Sequence, residues 1–342
     1  MKQFLQTLST AGFNGFFFCL IGVVLLAYLF PSWGAEGSIL PLSAIAQYGV
    51  SIIFFFYGLK LSPQKMKEGL YNWRLHLLIQ SSTFIAFPVL ILILHTIFGT
   101  ESAKLIWLGV FYVAALPSTV SSSVVMVSIA GGNMPAAIFN ASVSSILGVF
   151  ITPVWMTYFM GEMYAEMDTT TVIIKLSFQV LAPVIVGLFL NKWYGHITDR
   201  YKSQLRLFDQ AIILLIVFTS FAESFEGHMF ADVPITEILG IAGAMIVLFL
   251  FMFGFMYFLS NLLKLNREDR IAVLFCGSKK SLVQGAVMGK ALFPDPMMLG
   301  VVLLPLMLYH ALQLIASSII AEAMGNRKLH EYGADKIKQD AR

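Results

Sequence analysis

Two adjacent lysines, Lys279 and Lys280, lie inside an apolar stretch otherwise fit to span a bilayer. A charge at bilayer depth costs about 2.5–3.5 kcal/mol on insertion scales, so such residues face a partner or a cavity. The run around them is Gly277-Ser278-Lys279-Lys280-Ser281-Leu282-Val283-Gln284-Gly285, with glycine at both ends and donors or acceptors between. An earlier apolar stretch is broken in the same way by Pro117-Ser118-Thr119-Val120-Ser121-Ser122-Ser123. The chemistry on offer is two ammonium groups that can pair with an anion, several hydroxyls, a primary amide, and backbone groups freed where a helix is interrupted. Such groups can hold a small charged solute or an ion. They do not make a hydrolytic centre, because the chain has no HExxH, no G-x-S-x-G and no Ser–His or Asp–Asp pairing of the required kind. Interrupted hydrophobic segments at matching positions in two halves point instead to a transporter's substrate site.

The elements that must position these residues are membrane helices. Hydrophobic residues make up 58% of the 342 and charged residues 12%, against about 25% charged in a soluble domain. The mean hydropathy is +0.80. A span needs about 20 mainly apolar residues, and ten stretches qualify: 13–30, 40–58, 76–98, 104–129, 134–160, 171–191, 207–224, 235–260, 268–293 and 297–323. The expected fold is therefore an all-α polytopic membrane protein in contact with lipid. The first apolar run lacks a small-residue cleavage site and reads as a span rather than a removable leader. Residues 325–342 are polar and read as a mobile tail. Cys19 and Cys276 both fall in apolar spans, which suggests neither disulfide nor metal chemistry. No cofactor is implied.

The basic residues orient the chain. With ten spans, Lys60, Lys65, Lys67, Arg74, Lys192, Arg200, Lys202, Arg206, Lys264, Arg267 and Arg270 share one side with Lys2 and the five basic residues of the tail. The other side keeps Lys104 and Lys175, among the acidic residues Glu162, Glu166, Asp168, Glu223, Glu226 and Asp232. The positive-inside rule then puts both termini in the cytoplasm, for a protein of the plasma (bacterial inner) membrane. Topology thus accounts for the basic loops, and nucleic-acid binding is not suggested.

Ten spans divide into five and five, and an odd number per repeat turns the second copy upside down. The expected units are 1–165 and 166–324, followed by the tail. The polar breaks begin at Pro117 and Gly277, an offset of 160 that matches the offset between the halves. Spans four and nine are expected to be discontinuous helices that cross. Half-helix N-termini favour anions, and freed carbonyls with half-helix C-termini favour cations.

On these residues the chain resembles the bile acid:sodium symporter superfamily, in a divergent bacterial branch. The resemblance covers nearly the whole chain. Its most specific stretches run from Ala115-Leu116-Pro117 through Gly132-Asn133, from Ala137 through Pro153, from Phe275 through Phe293, and from Tyr309-His310 through Ser317-Ser318. It implies a six-helix core with two crossing helices against a four-helix panel, and uptake of organic anions with sodium. The family's hydroxyl and amide ligands after the fourth-helix proline fall near Ser122 and Ser123, with Val124 where the family has asparagine. Its fifth-helix ligands fall near Asn140 and Ser144, and a third-helix glutamine matches Gln80. In the ninth helix Cys276 and Lys280 stand where the symporters carry a glutamate and, four residues on, a glutamine. The carboxylate shared by the family's two sodium sites is missing, and a hard cation needs several oxygen ligands. The resemblance implies sodium coupling while the local residues oppose it.

The resulting expectation is a secondary transporter moving a small organic anion by alternating access. Pro117, Thr119, Ser121, Lys279, Lys280, Ser281 and Gln284 are the expected substrate-binding residues. Gln80, Ser122, Ser123, Asn140, Ser144 and Ser278 are the expected cation-binding set. Sodium-independent or proton-coupled transport, and a membrane regulatory protein that transports nothing, stand as alternatives. Either lysine of the pair could instead bond a backbone carbonyl for structure alone. Lys290 is expected to snorkel outward, and His310 and Gln313 to serve as hydrogen-bonding links between helices. The oligomeric state, the direction of transport and the identity of the substrate are not read from the sequence.

Overall fold

The computed structural model describes residues 15–35, 38, 40–59, 73–100, 103–163, 182–228, 234–293 and 295–340. The ends of the first and sixth expected spans lie outside these residues. So do Lys2, Lys60, Lys65, Lys67, Glu166, Asp168, Lys175, Asp232 and Arg342. Among the described residues every regular element is helical. In chain order these are α1 (Gly15–Leu29), α2 (Leu42–Leu59), α3 (Trp73–Phe98), α4 (Lys104–Ala115), α5 (Ser121–Ala130) and α6 (Met134–Met163). They are followed by α7 (Ala182–Arg200), α8 (Lys202–Glu226), α9 (Ile235–Leu262), α10 (Arg267–Gly277), α11 (Leu282–Leu292) and α12 (Pro296–Asp340).

Among the described residues, seven stretches are long and apolar enough to cross a membrane: α2, α3, α6, α8, α9, α10 with α11, and α12. Two shorter apolar helices correspond to α1 and α4. The protein is an integral membrane protein. Helical structure in α12 continues through Asp340, so the polar residues expected to form a mobile tail extend the last helix. Nothing in the hydrogen-bonding pattern stops it there, since the sequence offers no proline after Pro305.

Local signals explain the helix ends that matter. Leu116 is extended, as a residue before proline tends to be, and α4 stops there. After α5, Gly131 adopts a left-handed conformation with φ 70°. The N–H of Gly131 bonds the Ser128 carbonyl and that of Gly132 bonds the Val127 carbonyl, which closes the helix in a Schellman turn. The side-chain oxygen of Asn266 accepts the Asp269 N–H at 2.8 Å and starts α10. The Ser281 hydroxyl accepts the Gln284 N–H at 3.2 Å and starts α11. Within α3 the segment Ser82–Ala86 widens to a π turn, a local feature often found at functional sites.

The helices pack in two groups. α2 lies along α7, and α8 lies along α1 and α2. The α2–α7 contact is backbone-close, because Gly58 faces the Val184 carbonyl and Gly187 faces the Phe55 carbonyl. In the second group α12 packs on α4, α5, α9 and α11, while α10 packs on α3, α5, α6 and α9. The groups meet where α8 contacts α11 and α12, and where α2 contacts α11. Nearly all of Arg267–Leu292 is buried. The broken segment with the paired lysines is therefore wrapped by protein rather than exposed to lipid.

Candidate functional site

Both expected breaks are present, at 116–120 and at 278–281, and they touch: the Ser281 N–H donates to the Pro117 carbonyl at 2.9 Å. Irregular backbone at membrane depth is tolerated only where its polar groups find partners in protein or in a water-lined cavity. Here the carbonyls left free by one segment are taken up by side chains from elsewhere in the fold. At the first break, the Thr152 hydroxyl donates to the Ala115 carbonyl at 2.8 Å. The Ser118 N–H, which could have continued the helix, donates instead to the Ser144 hydroxyl at 2.9 Å.

At the second break the donors are mostly hydroxyls. Ser123 donates to the Phe275 carbonyl at 3.0 Å, Ser118 to Cys276 at 2.7 Å, Ser82 to Gly277 at 2.9 Å and Tyr309 to Ser278 at 2.7 Å. The Tyr112 hydroxyl reaches the Gly285 carbonyl. The Gln313 amide holds the Lys280 backbone from both sides, accepting its N–H at 2.9 Å and donating to its carbonyl at 2.7 Å. Gln313 is thus the link between helices that its position implied, and His310 bonds to it at 3.0 Å.

The two lysines, alike in sequence, have opposite surroundings. Both are completely buried. The Lys280 ammonium donates to three backbone carbonyls, those of Thr83 at 2.8 Å, Ala114 at 2.6 Å and Leu116 at 2.8 Å. It also lies over the Phe87 ring, 4.1 Å from its centroid. Every donor on this ammonium has an acceptor. Two of those carbonyls sit at the C-terminal end of α4, where the aligned peptide dipoles favour a cation, and the third comes from the π turn of α3. Among the described residues the Lys279 ammonium has no hydrogen-bond partner.

The remaining expected residues gather around the end of α10 in pairs. Gln80 donates to the Asn140 carbonyl at 3.1 Å and to its side-chain oxygen at 3.3 Å, and Asn140 bonds His76 at 2.7 Å. Thr119 exchanges hydrogen bonds with Ser122 at 2.7 Å and Ser123 at 2.9 Å. Ser278 turns its hydroxyl back to the Leu274 carbonyl at 2.6 Å. Gln284 donates to the Ser145 carbonyl at 3.2 Å. The side-chain oxygens of Gln80 and Gln284 are buried without a donor. Cys276, at the position aligned with the family's carboxylate, is buried with its sulfur 3.9 Å from the Ala137 carbonyl. The Ser121 side chain lies outside what the structure describes.

One expectation needs correction. Lys290 does not snorkel: it is buried and donates to the Ser43 hydroxyl of α2 at 2.9 Å. α11 packs against α2, α8 and α12, which cover the side chain. Sequence reasoning allowed a backbone carbonyl partner for either lysine but did not identify Lys280 or the carbonyls of Thr83, Ala114 and Leu116, and it missed the face of Phe87. Their only sequence signal was Pro117, which announced that carbonyls upstream of it would be free.

Among the described residues the protein is all-helical, with two helix breaks that touch; the transporter class follows from its family. Residues 14–326 match the SBF-like CPA transporter family, and the chain belongs to it. An uncharacterized protein of Pseudomonas aeruginosa is 37% identical over 315 residues, covering 92% of this chain and 94% of its own. YfeH of Escherichia coli, named as a candidate symporter, is 34% identical over 303 residues, covering 88% and 90%. The sodium/bile acid cotransporter 7 of Danio rerio is 31% identical over 313 residues, covering 88% and 91%. The sequence resemblance to the bile acid:sodium symporters accords with these relatives.

Proposed function

We propose that the chain is a secondary transporter that carries a small organic anion across the membrane by alternating access. In this reading it spans the bilayer ten times as two inverted repeats, 1–165 and 166–324, with both termini cytoplasmic. The fourth span is α4 with α5 and the ninth is α10 with α11, crossing at their breaks. The group of α1, α2, α7 and α8 acts as the panel, and the remaining helices act as the core. Lys279, Ser281 and Gln284 line the solute's side of the junction, together with Pro117 and Thr119.

The observation that carries the reading furthest is the Lys280 ammonium on three backbone carbonyls. A cation held by three backbone carbonyls, two of them at a half-helix C-terminus, stands where a sodium ion would be held in such a fold. Here the cation is covalently part of the chain, and the carboxylate that would accompany a second one is replaced by Cys276. Transport at this position is then independent of sodium, and the rival is ordinary sodium coupling through Gln80, Ser122, Ser123, Asn140 and Ser144. The relative named as a sodium/bile acid cotransporter makes taurocholate a reasonable first probe. In proteoliposomes, uptake of labelled taurocholate and of simpler carboxylates is measured with sodium replaced by N-methylglucamine. Anion uptake unchanged by the replacement supports the proposal. Uptake that rises steeply with sodium restores the ordinary sodium mechanism.

A further inference from the structure

We infer that Lys279 determines the charge of the solute accepted at this junction, and that it matches one anionic group and no more. The inference rests on the transporter reading above and goes beyond it by dividing the lysine pair between two roles. Lys280 is occupied by three carbonyls and an aromatic face. Lys290 is occupied at least by Ser43. The Lys279 ammonium is equally buried and has no hydrogen bond among the described residues.

A buried charge without a partner is strongly unfavourable, and a bound ion of opposite sign removes most of that penalty. Position adds to this preference. Lys279 lies two residues before Ser281, which caps the N-terminus of the eleven-residue α11. A helix N-terminus carries partial positive charge and offers N–H groups to an anion. A second negative group on the solute would meet no further unpaired ammonium, since Lys280 and Lys290 already have acceptors, and a buried charge left uncompensated is costly. The solute class is therefore a monoanion with its charge localised at one end.

The test uses the full chain purified in detergent and a probe set of benzoate, phthalate and benzamide, with ligand-induced shifts in melting temperature as the readout. For the wild type, benzoate is expected to bind at least tenfold more tightly than either phthalate or benzamide. Lys279→Met should lose at least tenfold in benzoate affinity and with it the discrimination between benzoate and benzamide, while Lys279→Arg should keep both. An independent readout guards against a merely structural loss: without any ligand, Lys279→Met should melt above the wild type, because an uncompensated charge has gone. Benzoate binding that survives Lys279→Met, phthalate binding equal to benzoate, or a ligand-free Lys279→Met that melts below the wild type would each overturn the inference and leave the transporter reading standing. If neither anion stabilises the wild type and taurocholate uptake also fails, the anion reading itself falls.

Discussion

Lys280→Met keeps most of the side-chain volume and deletes the ammonium, so it tests whether that charge holds the first break in place. Three carbonyls lose their donor, those of Thr83, Ala114 and Leu116, at present 2.8, 2.6 and 2.8 Å from the nitrogen. A buried acceptor left unsatisfied costs about 1–3 kcal/mol, which gives a gross loss of about 3–9 kcal/mol. Losing the contact with Phe87, at 4.1 Å, adds about 0.5–2 kcal/mol. Against this stands the relief of no longer burying an ammonium, an effective several kcal/mol. Because the carbonyls left behind are neutral and the buried charge itself is gone, the two terms largely oppose each other, and the expected net effect is a destabilisation of about 1–4 kcal/mol.

The assay is thermal and chemical unfolding in detergent, repeated across a sodium titration. If the three carbonyls form a cation site that the lysine fills, sodium should restabilise the variant. At a concentration one hundred times its Kd the recovery is about 2.7 kcal/mol. The wild type should show no such gain from sodium at this position. A variant as stable as the wild type would mean that the carbonyls find other partners at no cost, and the reasoning from their orphaning would be wrong. A destabilised variant indifferent to sodium would refute the cation-site reading while leaving the structural role.

Two further outcomes check the packing and the topology. Gly58→Val should destabilise by about 1–3 kcal/mol and weaken the α2–α7 contact, because a Cβ there meets the Val184 carbonyl; a variant that unfolds like the wild type would count against that close approach. A cysteine introduced at Glu226 in a cysteine-free background should react with an impermeant thiol reagent in intact cells, and one at Lys202 should react only after permeabilisation; the opposite pattern would invert the orientation drawn from the basic residues.

The sequence by itself determined where the chain is helical and where it breaks. Pro117 removes a donor and restricts Leu116, Gly131 supplies a left-handed turn, and Asn266 and Ser281 offer caps, so these ends follow from local chemistry. The apolar stretches and the buried lysine pair were legible for the same reason: hydropathy and charge belong to a residue wherever it sits. What Lys279 and Lys280 do was decided only by the tertiary structure. In a broken helix the 3.6-residue period no longer tells which way a side chain points, so two neighbouring lysines could not be told apart. The partners that separate them are backbone carbonyls contributed by α3 and α4, and every residue carries a carbonyl, so composition holds no trace of which ones are free. The burial of Lys290 beneath α2 is a decision of the same kind. It depends on how α2, α8 and α12 close around α11, and that packing arises between segments distant in the chain, where no local signal reaches.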